Sequence, residues 1–224
     1  MKNLAIDTSS KICSVAILEN DKLVDEINLD NGRTHSENLM PIVSEILEKN
    51  NLKLSDFGLI SCCVGPGSFT GIRIGVSSVK AMAEVNKLPI SSVTSLETLA
   101  RIDDSEKIKV ALIDARNNQV YCGIFDKDYE KKEEFMADDI ANVIEVLKKY
   151  ENIICMGDGA LLHKDLLEQN LENVGFSLEN NQKAVFAGMI GYKKYLADDL
   201  ENADTINPIY LRKSQAERMK LIKK

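Results

Sequence analysis

Short apolar runs alternate with longer segments of helical period along this chain, and the same order of runs occurs twice. Residues 6–19 and 113–126 both begin with Ile-Asp, and they align without a gap. Each of these segments predicts a strand, a polar turn and a second strand. A third strand is predicted at residues 23–29 in the first half and near residues 133–136 in the second. The pattern therefore indicates an internal repeat.

Each half continues with two helices that flank a further apolar strand. The order β-β-β-α-β-α thus occurs twice, which predicts an α/β protein with two lobes, each a mixed sheet covered by helices. A short polar link at 103–106 predicts lobes at 1–103 and 104–224. The predicted segments are a helix at 36–49, a strand at 59–64 and a helix at 71–85, then a helix at 140–150, a strand at 153–156 and a helix after Gly157-Asp158-Gly159.

A glycine-rich turn lies between the predicted strand at 59–64 and the helix that follows it. Residues 64–73 are Val-Gly-Pro-Gly-Ser-Phe-Thr-Gly-Ile-Arg. A strand, a glycine turn and a helix amino terminus are the parts that cradle phosphate. However, the spacing G-x-G-x-x-x-G is one residue longer than the dinucleotide fingerprint, and no Lys-Ser/Thr pair closes a Walker loop. Pro66 also removes a backbone donor. The turn therefore predicts the architecture of a nucleotide-binding fold in which the capacity to bind phosphate is weakened.

Composition excludes several classes of function. The net charge of −7 argues against a nucleic-acid binder that acts alone, since phosphate contacts need a basic face. Basic residues gather at 213–224, where they form either a local basic patch or a solvated terminus. No apolar run has the length of a membrane span, and the first residues are charged too early for a signal peptide. We therefore expect a cytoplasmic protein without a membrane partner.

The cysteines and histidines offer little support for metal or disulfide chemistry. All five cysteines lie in apolar strand-like runs, and none forms a C-x-x-C pair. This pattern predicts reduced core thiols in a cytoplasmic protein, with neither a disulfide framework nor a zinc site. The two histidines, His35 and His163, are far apart in the sequence.

The duplicated unit and four motifs together point to a family. Two copies of such a unit form the fold of the actin-like ATPase superfamily, which includes sugar kinases and chaperone ATPases. The motifs are Leu-Ala-Ile-Asp-Thr-Ser at 4–9, Arg-Thr-His-Ser-Glu-Asn-Leu-Met-Pro at 33–41, the glycine-rich run at 65–75 and Ser-Leu-Glu at 95–97. Through these motifs the first half resembles the TsaB family, also called YeaZ, and the second half fits more loosely.

The resemblance implies a non-catalytic partner of TsaD, in a complex that installs threonylcarbamoyl on the tRNA adenosine next to the anticodon. It implies a TsaD-like catalytic subunit as partner, a homodimer when the chain is alone, and a third subunit with ATPase activity. Transfer RNA would be bound only as part of the complex. The alternatives are an active small-molecule kinase or ATPase of the same fold and a glycoprotease-like peptidase.

The first predicted hairpin turn contains Asp7, Thr8 and Ser9, which allow two interpretations. In an active ATPase, Asp7 would orient Mg²⁺-bound water while the hydroxyls donate to phosphate. Alternatively, these side chains build a tight turn by bonding to their own backbone. TsaD-like enzymes carry two glycines where this chain has Ala115 and Arg116, so Arg116 is expected to fill the space of a phosphate. We therefore predict no catalytic residue and no cofactor. The vestigial positions of the nucleotide loop are Asp7, Thr8, Ser9, Gly65 and Gly67.

Metal and nucleophile chemistry have weak candidates. TsaD-like proteins carry an H-x-x-x-H pair where this chain has Ser95 and Leu99, and leucine cannot bind a metal, so no metal site of that type is predicted. Cys13 and Ser14 lack a histidine partner that could act as a base. His35 lies near a helix start, where it is expected to be a cap or interface residue.

Two predicted helices are more apolar than one sheet requires. The helix at 36–49 has a wide apolar stripe, and the helix at 71–85 has two apolar faces with small residues between them. Such a helix either lies deep in a core or is shared between its sheet and a partner. In the TsaB-like family these elements pair with TsaD. The predicted interface residues are Arg33, His35, Ser36, Leu39, Met40, Val43, Leu47, Gly71, Ile74, Gly75, Ser78 and Met82.

Overall fold

The computed structural model of the chain describes residues 1–211, and the basic residues at 213–224 lie outside the described residues. Two five-stranded sheets form the two halves, and both have the same strand order when the strands are numbered within each half. The first sheet has the order β3-β2-β1-β4-β5 and the second β10-β9-β6-β7-β8. The predicted repeat is therefore confirmed.

The first half contains five strands and three α-helices. Strand β1 pairs with β2 in antiparallel register and with β4 in parallel register, as a hairpin followed by a crossover requires. The elements are β1 (Lys2–Asp7), β2 (Cys13–Glu19), β3 (Lys22–Leu29), α1 (His35–Lys49), a 3₁₀ turn (Leu54–Asp56), β4 (Leu59–Cys63), α2 (Phe69–Asn86), β5 (Ile90–Val93) and α3 (Ser95–Ala100).

The second half repeats this arrangement, with a shorter third strand and a shorter first helix. Strand β6 pairs with β7 in antiparallel register and with β9 in parallel register, as β1 does with β2 and β4. The elements are β6 (Ile108–Asp114), β7 (Gln119–Phe125), β8 (Met136–Asp139), α4 (Ile140–Leu147), β9 (Ile153–Met156), α5 (Asp158–Leu162), α6 (Lys164–Asn170), β10 (Gly175–Phe176) and α7 (Ala184–Leu196).

Several boundaries differ from the sequence prediction. Helix α2 begins at Phe69 rather than Gly71, because the Ser68 hydroxyl caps it by accepting from the Gly71 amide at 3.2 Å. The third strand of the second half begins at Met136, where pairing with β7 starts. Each half also ends in an additional strand and helix, so the repeat is longer than the six predicted elements.

The last helix of each half packs on the other half. Leu96 and Leu99 of α3 are buried with Ala111, Ile113 and Met156 of the second sheet. Helix α7 lies on the first sheet, where Ala184 and Val185 pack against Ala5, Ala16 and Leu18. The chain then returns along the first sheet, because Glu201 exchanges backbone hydrogen bonds with Ile90, and the Ile209 amide donates to the Val64 carbonyl. The lobe boundaries 1–103 and 104–224 remain a prediction.

Helix α7 approaches the first sheet closely because it carries glycine at two contact positions. A Cβ at Gly188 would overlap Leu18, and a Cβ at Gly191 would overlap the Ser61 side chain. The start of the helix is held by Ser14, whose hydroxyl accepts from the Ala184 amide at 2.7 Å. Ser14 therefore has a structural role at the junction of the two halves. Within residues 1–211 no helix is long and apolar enough to cross a membrane.

We predict that Gly191→Ala lowers the free energy of unfolding by about 1–3 kcal/mol, although alanine is the better helix former, since the added methyl group must displace Ser61 or the helix. Urea unfolding followed by circular dichroism measures this change. Leu196→Ala on the exposed face of α7 is the control, with an expected change within about 0.5 kcal/mol. An unchanged stability for Gly191→Ala would contradict the close contact.

Candidate functional site

The Asp7 carboxylate at the end of β1 accepts hydrogen bonds within its own turn. Its Oδ1 atom accepts from the Ser9 amide at 2.8 Å and from the Ser9 hydroxyl at 2.6 Å. Asp7 is buried, and Oδ2 has no hydrogen-bond partner within the described residues. Burial raises the pKa of Asp7, while the hydrogen bonds from Ser9 oppose this shift. These bonds support the tight-turn interpretation.

The glycine-rich loop packs directly against this turn. The Ser68 amide donates to the Ser9 carbonyl at 2.7 Å, and a Cβ at Gly67 would overlap the same carbonyl. Gly65 and Gly67 have φ values of 103° and 155°, which side chains of L-residues rarely adopt. The glycines therefore allow two loops of the protein to approach each other.

The first residues of α2 also face this turn. The Thr8 hydroxyl donates to the Gly71 carbonyl at 2.8 Å, and a Cβ at Gly71 or Gly75 would overlap Thr8. Gly71 and Gly75 are thus part of the interior, not of an exposed small-residue stripe. The neighbour they admit within the chain is the β1–β2 turn, and their assignment to the partner interface remains a prediction.

A cleft of about 820 Å³ lies beside these turns and is lined by both halves. Arg116 lines the cleft and is exposed, and its expected place in the space of a phosphate remains a prediction. The turn that carries Arg116 is built without glycine: Arg116, Asn117 and Asn118 all have positive φ, and the Arg116 amide donates to Asp114 at 2.8 Å.

Three side chains hold the end of the described chain at the edge of this cleft. Arg73 Nε donates to the Tyr210 hydroxyl at 2.7 Å, and the Arg73 guanidinium lies 3.8 Å from the centre of the Phe69 ring. The rings of Phe69 and Tyr210 are 4.9 Å apart. The sequence did not predict this contact, since Tyr210 lies 141 positions from Phe69 and 137 from Arg73 and no local pattern connects residues so far apart.

Ser95 and Leu99, which stand where TsaD-like proteins carry metal-binding histidines, both lie in the interior. Ser95 and Leu99 are buried, with the Ser95 hydroxyl 3.2 Å from Cys63 Sγ and Leu99 in the core under α3. Among residues 1–211 no three His, Cys, Asp or Glu side chains are grouped as a metal site would require. The metal-free state of the protein remains a prediction.

The proposed nucleophiles are buried structural residues. All five cysteines are buried in strands. Burial raises the pKa of Cys13 to about 11, which disfavours the reactive thiolate. Ser14 donates to Asn28 at 2.6 Å and caps α7 as described above. These contacts explain both residues without catalysis.

His35 connects α1 to the β1–β2 turn rather than capping the helix. The N-cap of α1 is Thr34, whose amide donates to Glu37 at 2.9 Å. The His35 Nε2 atom lies 2.8 Å from the Ser10 carbonyl oxygen, so this nitrogen donates. The ring therefore fixes the position of α1 relative to the turn.

Helices α1 and α2 pack side by side, and the remaining predicted interface residues divide between core and surface. Leu39, Val43 and Met82 are buried in the core of the first half, and their assignment to an interface remains a prediction. The positions that stay at the surface are Arg33, Ser36 and Met40, which are exposed, and Leu47, Ile74 and Ser78, which are half-buried.

Part of the surface of these helices is apolar. Met40 is 48% and Val85 82% exposed, and Ala81 and Ile74 lie on the same side of α2 as Val85. We call Met40, Ile74, Ser78, Ala81 and Val85 the α1–α2 face.

Comparison with known proteins gives the family. Residues 29–220 match the sequence model of "TsaD: tRNA N6-adenosine threonylcarbamoyltransferase". A Bacillus subtilis protein, "tRNA threonylcarbamoyladenosine biosynthesis protein TsaB", is 32% identical over 225 residues, which cover 97% of this chain and 96% of that protein. The chain belongs to the TsaB family. The resemblance found in the sequence motifs is thus confirmed, and in this family member it extends over both halves.

Solved structures confirm the duplicated actin-like fold. YeaZ from Pseudomonas aeruginosa superimposes with a TM-score of 0.76 at 22% identity, over 93% of this chain and all of that chain. An inorganic polyphosphate/ATP-glucomannokinase from an Arthrobacter strain superimposes with a TM-score of 0.53 at 10% identity, over 87% of this chain and 99% of that chain. At these identities the likeness shows the fold alone. The TsaB-family chain therefore shares its architecture with sugar kinases.

We predict that Asp7→Asn changes the pH dependence of stability. Folding raises the pKa of Asp7, so as the pH rises the unfolded chain loses this proton before the folded protein does. The Asp7 carboxyl therefore lowers the free energy of unfolding as the pH rises above about 3.9. The stability of the wild type relative to Asp7→Asn should fall from pH 4 towards neutrality, as measured by urea unfolding at several pH values. Asp21→Asn, at an exposed turn, is the control. A constant difference for Asp7→Asn would contradict the raised pKa.

Proposed function

We propose that this chain is a non-catalytic partner subunit that pairs with a TsaD-like enzyme and supports threonylcarbamoylation of the tRNA adenosine next to the anticodon. The TsaB relatives carry tRNA threonylcarbamoyladenosine biosynthesis in their name, and the matching family model describes the transferase itself. The observation that carries the proposal is the exposed apolar α1–α2 face. The other side of both helices is packed in the core of the first half.

The geometry of the turns supports a role without catalysis. Asp7 is engaged by Ser9, and the glycines of the loop are in contact with Ser9 and Thr8. A phosphate needs backbone amides and glycine turns that are open to it. In this chain those groups are used for internal packing, which leaves pairing as the function that the surface supports best.

The proposal includes the oligomeric states expected from the family. With the partner absent, the same α1–α2 face would join two copies of the chain in a homodimer. A third subunit with ATPase activity, and tRNA bound only by the assembled complex, belong to the same proposal, as does a cytoplasmic location.

The active kinase or ATPase alternative makes a different prediction for the isolated chain. We expect no ATP hydrolysis and no magnesium-dependent micromolar ATP site in the cleft, measured by phosphate release and calorimetry. The Asp7→Ala variant is the control for contaminating activity. Turnover that is present in the wild type and lost in Asp7→Ala would refute the non-catalytic role.

The pairing surface can be tested with charges on the α1–α2 face. Met40→Asp and Ala81→Glu place an unpaired charge where a partner helix must pack, and we expect binding to a TsaD-like subunit to weaken by at least about 100-fold, or about 2.7 kcal/mol. Calorimetry and co-elution measure assembly, and a reconstituted tRNA modification assay measures its consequence.

The matched control for these variants is Leu162→Asp, which changes an exposed leucine on α5 of the second half. It should fold, assemble and support modification like the wild type. Assembly that survives both Met40→Asp and Ala81→Glu would show that the interface lies elsewhere. Unfolding of both variants would show that the face belongs to the core.

A further inference from the structure

A second cavity, of about 370 Å³, lies between α3, α7 and the loop that joins β7 to β8. No residue lines both this cavity and the cleft described above. Its volume is within the range of small-molecule sites. We call it the α3–α7 pocket.

The α3–α7 pocket is locally basic in an acidic protein. Arg101, Lys131, Lys193 and Lys194 line it together with two carboxylates, while the whole chain has a net charge of −7. The carboxylate of Glu97 is already engaged, because its Oε2 atom accepts from both the amide and the hydroxyl of Thr94 at 2.7 Å. The lining is therefore net positive, which favours an anionic ligand.

Arg101 is the cation best placed to bind that ligand. Its guanidinium lies 4.1 Å from the centre of the Tyr129 ring, and its side chain makes no hydrogen bond or ion pair with other residues of the described part of the chain. The stacked position orients the planar group while leaving its N–H donors unused. A guanidinium held in this way suits a bidentate contact with a phosphate.

Of the three lysines, Lys194 is held by a hydrogen bond to the Ser92 carbonyl at 2.8 Å, whereas the ion pairs of Lys193 and Lys131 involve exposed carboxylates. Lys193 is 3.8 Å from Glu130, and both side chains are largely exposed, so this ion pair contributes little. Lys131 pairs at 2.8 Å with the exposed Glu134. Both ammonium groups can therefore turn to an incoming anion at small cost.

The floor of the pocket is apolar and partly aromatic. Phe125, Phe135 and Ile190 line it, and the two phenylalanine rings are 5.9 Å apart. Such a floor can accept a flat ring by stacking or edge contact. Cations beside an aromatic floor are the combination that binds the phosphate and the base of a nucleotide.

We propose that the α3–α7 pocket binds a nucleotide unit, with the phosphate on Arg101 and Lys193 and the base against the aromatic floor. The unit comes either from a free nucleotide or from a short single-stranded RNA segment, whereas binding of an intact tRNA is assigned to the assembled complex. The site is separate from the vestigial nucleotide cleft and needs no magnesium. It goes beyond the proposed pairing function, since it concerns the isolated chain and a different surface.

The test is titration of the full chain with AMP, with adenosine and with a short single-stranded RNA, followed by the backbone amide resonances. We expect AMP and RNA to shift the resonances of Arg101, Tyr129 and Lys193 without magnesium, while adenosine shifts them far less. Arg101→Gln and Lys193→Gln should each weaken binding by roughly tenfold, because each removes a charged hydrogen-bond donor. Lys148→Gln, directly after α4 and outside the pocket, is the control and should bind like the wild type.

The two sources of the nucleotide unit give different results. RNA that binds more tightly than AMP, with an affinity that falls steeply with salt, assigns the site to RNA. AMP that binds as tightly as RNA assigns it to a free nucleotide. Absence of shifts with either ligand, shifts at Ser9 and Gly67 in place of the pocket, or equal weakening by Lys148→Gln would overturn the proposal. Lys193→Gln keeps the test valid if Arg101→Gln disturbs the fold, since Lys193 is exposed.

Discussion

The contact between the β1–β2 turn and the glycine-rich loop is the constraint on which the rest of the first half depends. The Ser9 carbonyl accepts a hydrogen bond from the Ser68 amide, and Gly67 leaves room for that carbonyl to approach. Thr8 packs closely against Gly71 and Gly75, which lie one helical turn apart on α2. This contact sets the position of α2, and His35 ties α1 to the same turn. Both helices of the α1–α2 face are therefore positioned by one turn.

The exchange of helices between the two halves provides a second constraint. Helix α3 belongs to the first half by sequence and packs on the second sheet, whereas α7 does the reverse. Each sheet thus has one face covered by a helix from the other half, so burial of apolar surface couples the halves. The α3–α7 pocket arises where the two exchanged helices meet the β7–β8 loop. A cavity at this position draws on both halves for its lining.

The sequence predicted the repeat well because short apolar strands, polar turns and helical periodicity are local patterns. It also identified the Asp7-Thr8-Ser9 turn, in which Asp7 bonds to Ser9 two residues away. The small-residue stripe of Gly71 and Gly75 was interpreted as a partner contact, and the structure shows a contact within the chain that also explains it. A small-residue stripe shows only that something approaches closely, and here that neighbour, Thr8, lies more than 60 positions away. The helix exchange and the Arg73–Tyr210 contact could not be predicted for the same reason.

Helix α2 shows how the non-catalytic role and the pairing surface that we propose are compatible in one element. In an active enzyme of this fold, its amino terminus and the preceding loop would have to remain open for phosphate. Here the glycine side of the helix is closed against Thr8, and an adjacent side carries Ala81 and Val85 at the surface. Closing one side fixes the helix in the core without a ligand, so its exposed side is held rigid before a partner arrives. A preorganised helix loses little conformational entropy on binding. The packing of the β1–β2 turn against the glycine-rich loop and α2 therefore also positions the surface through which we propose the chain acts.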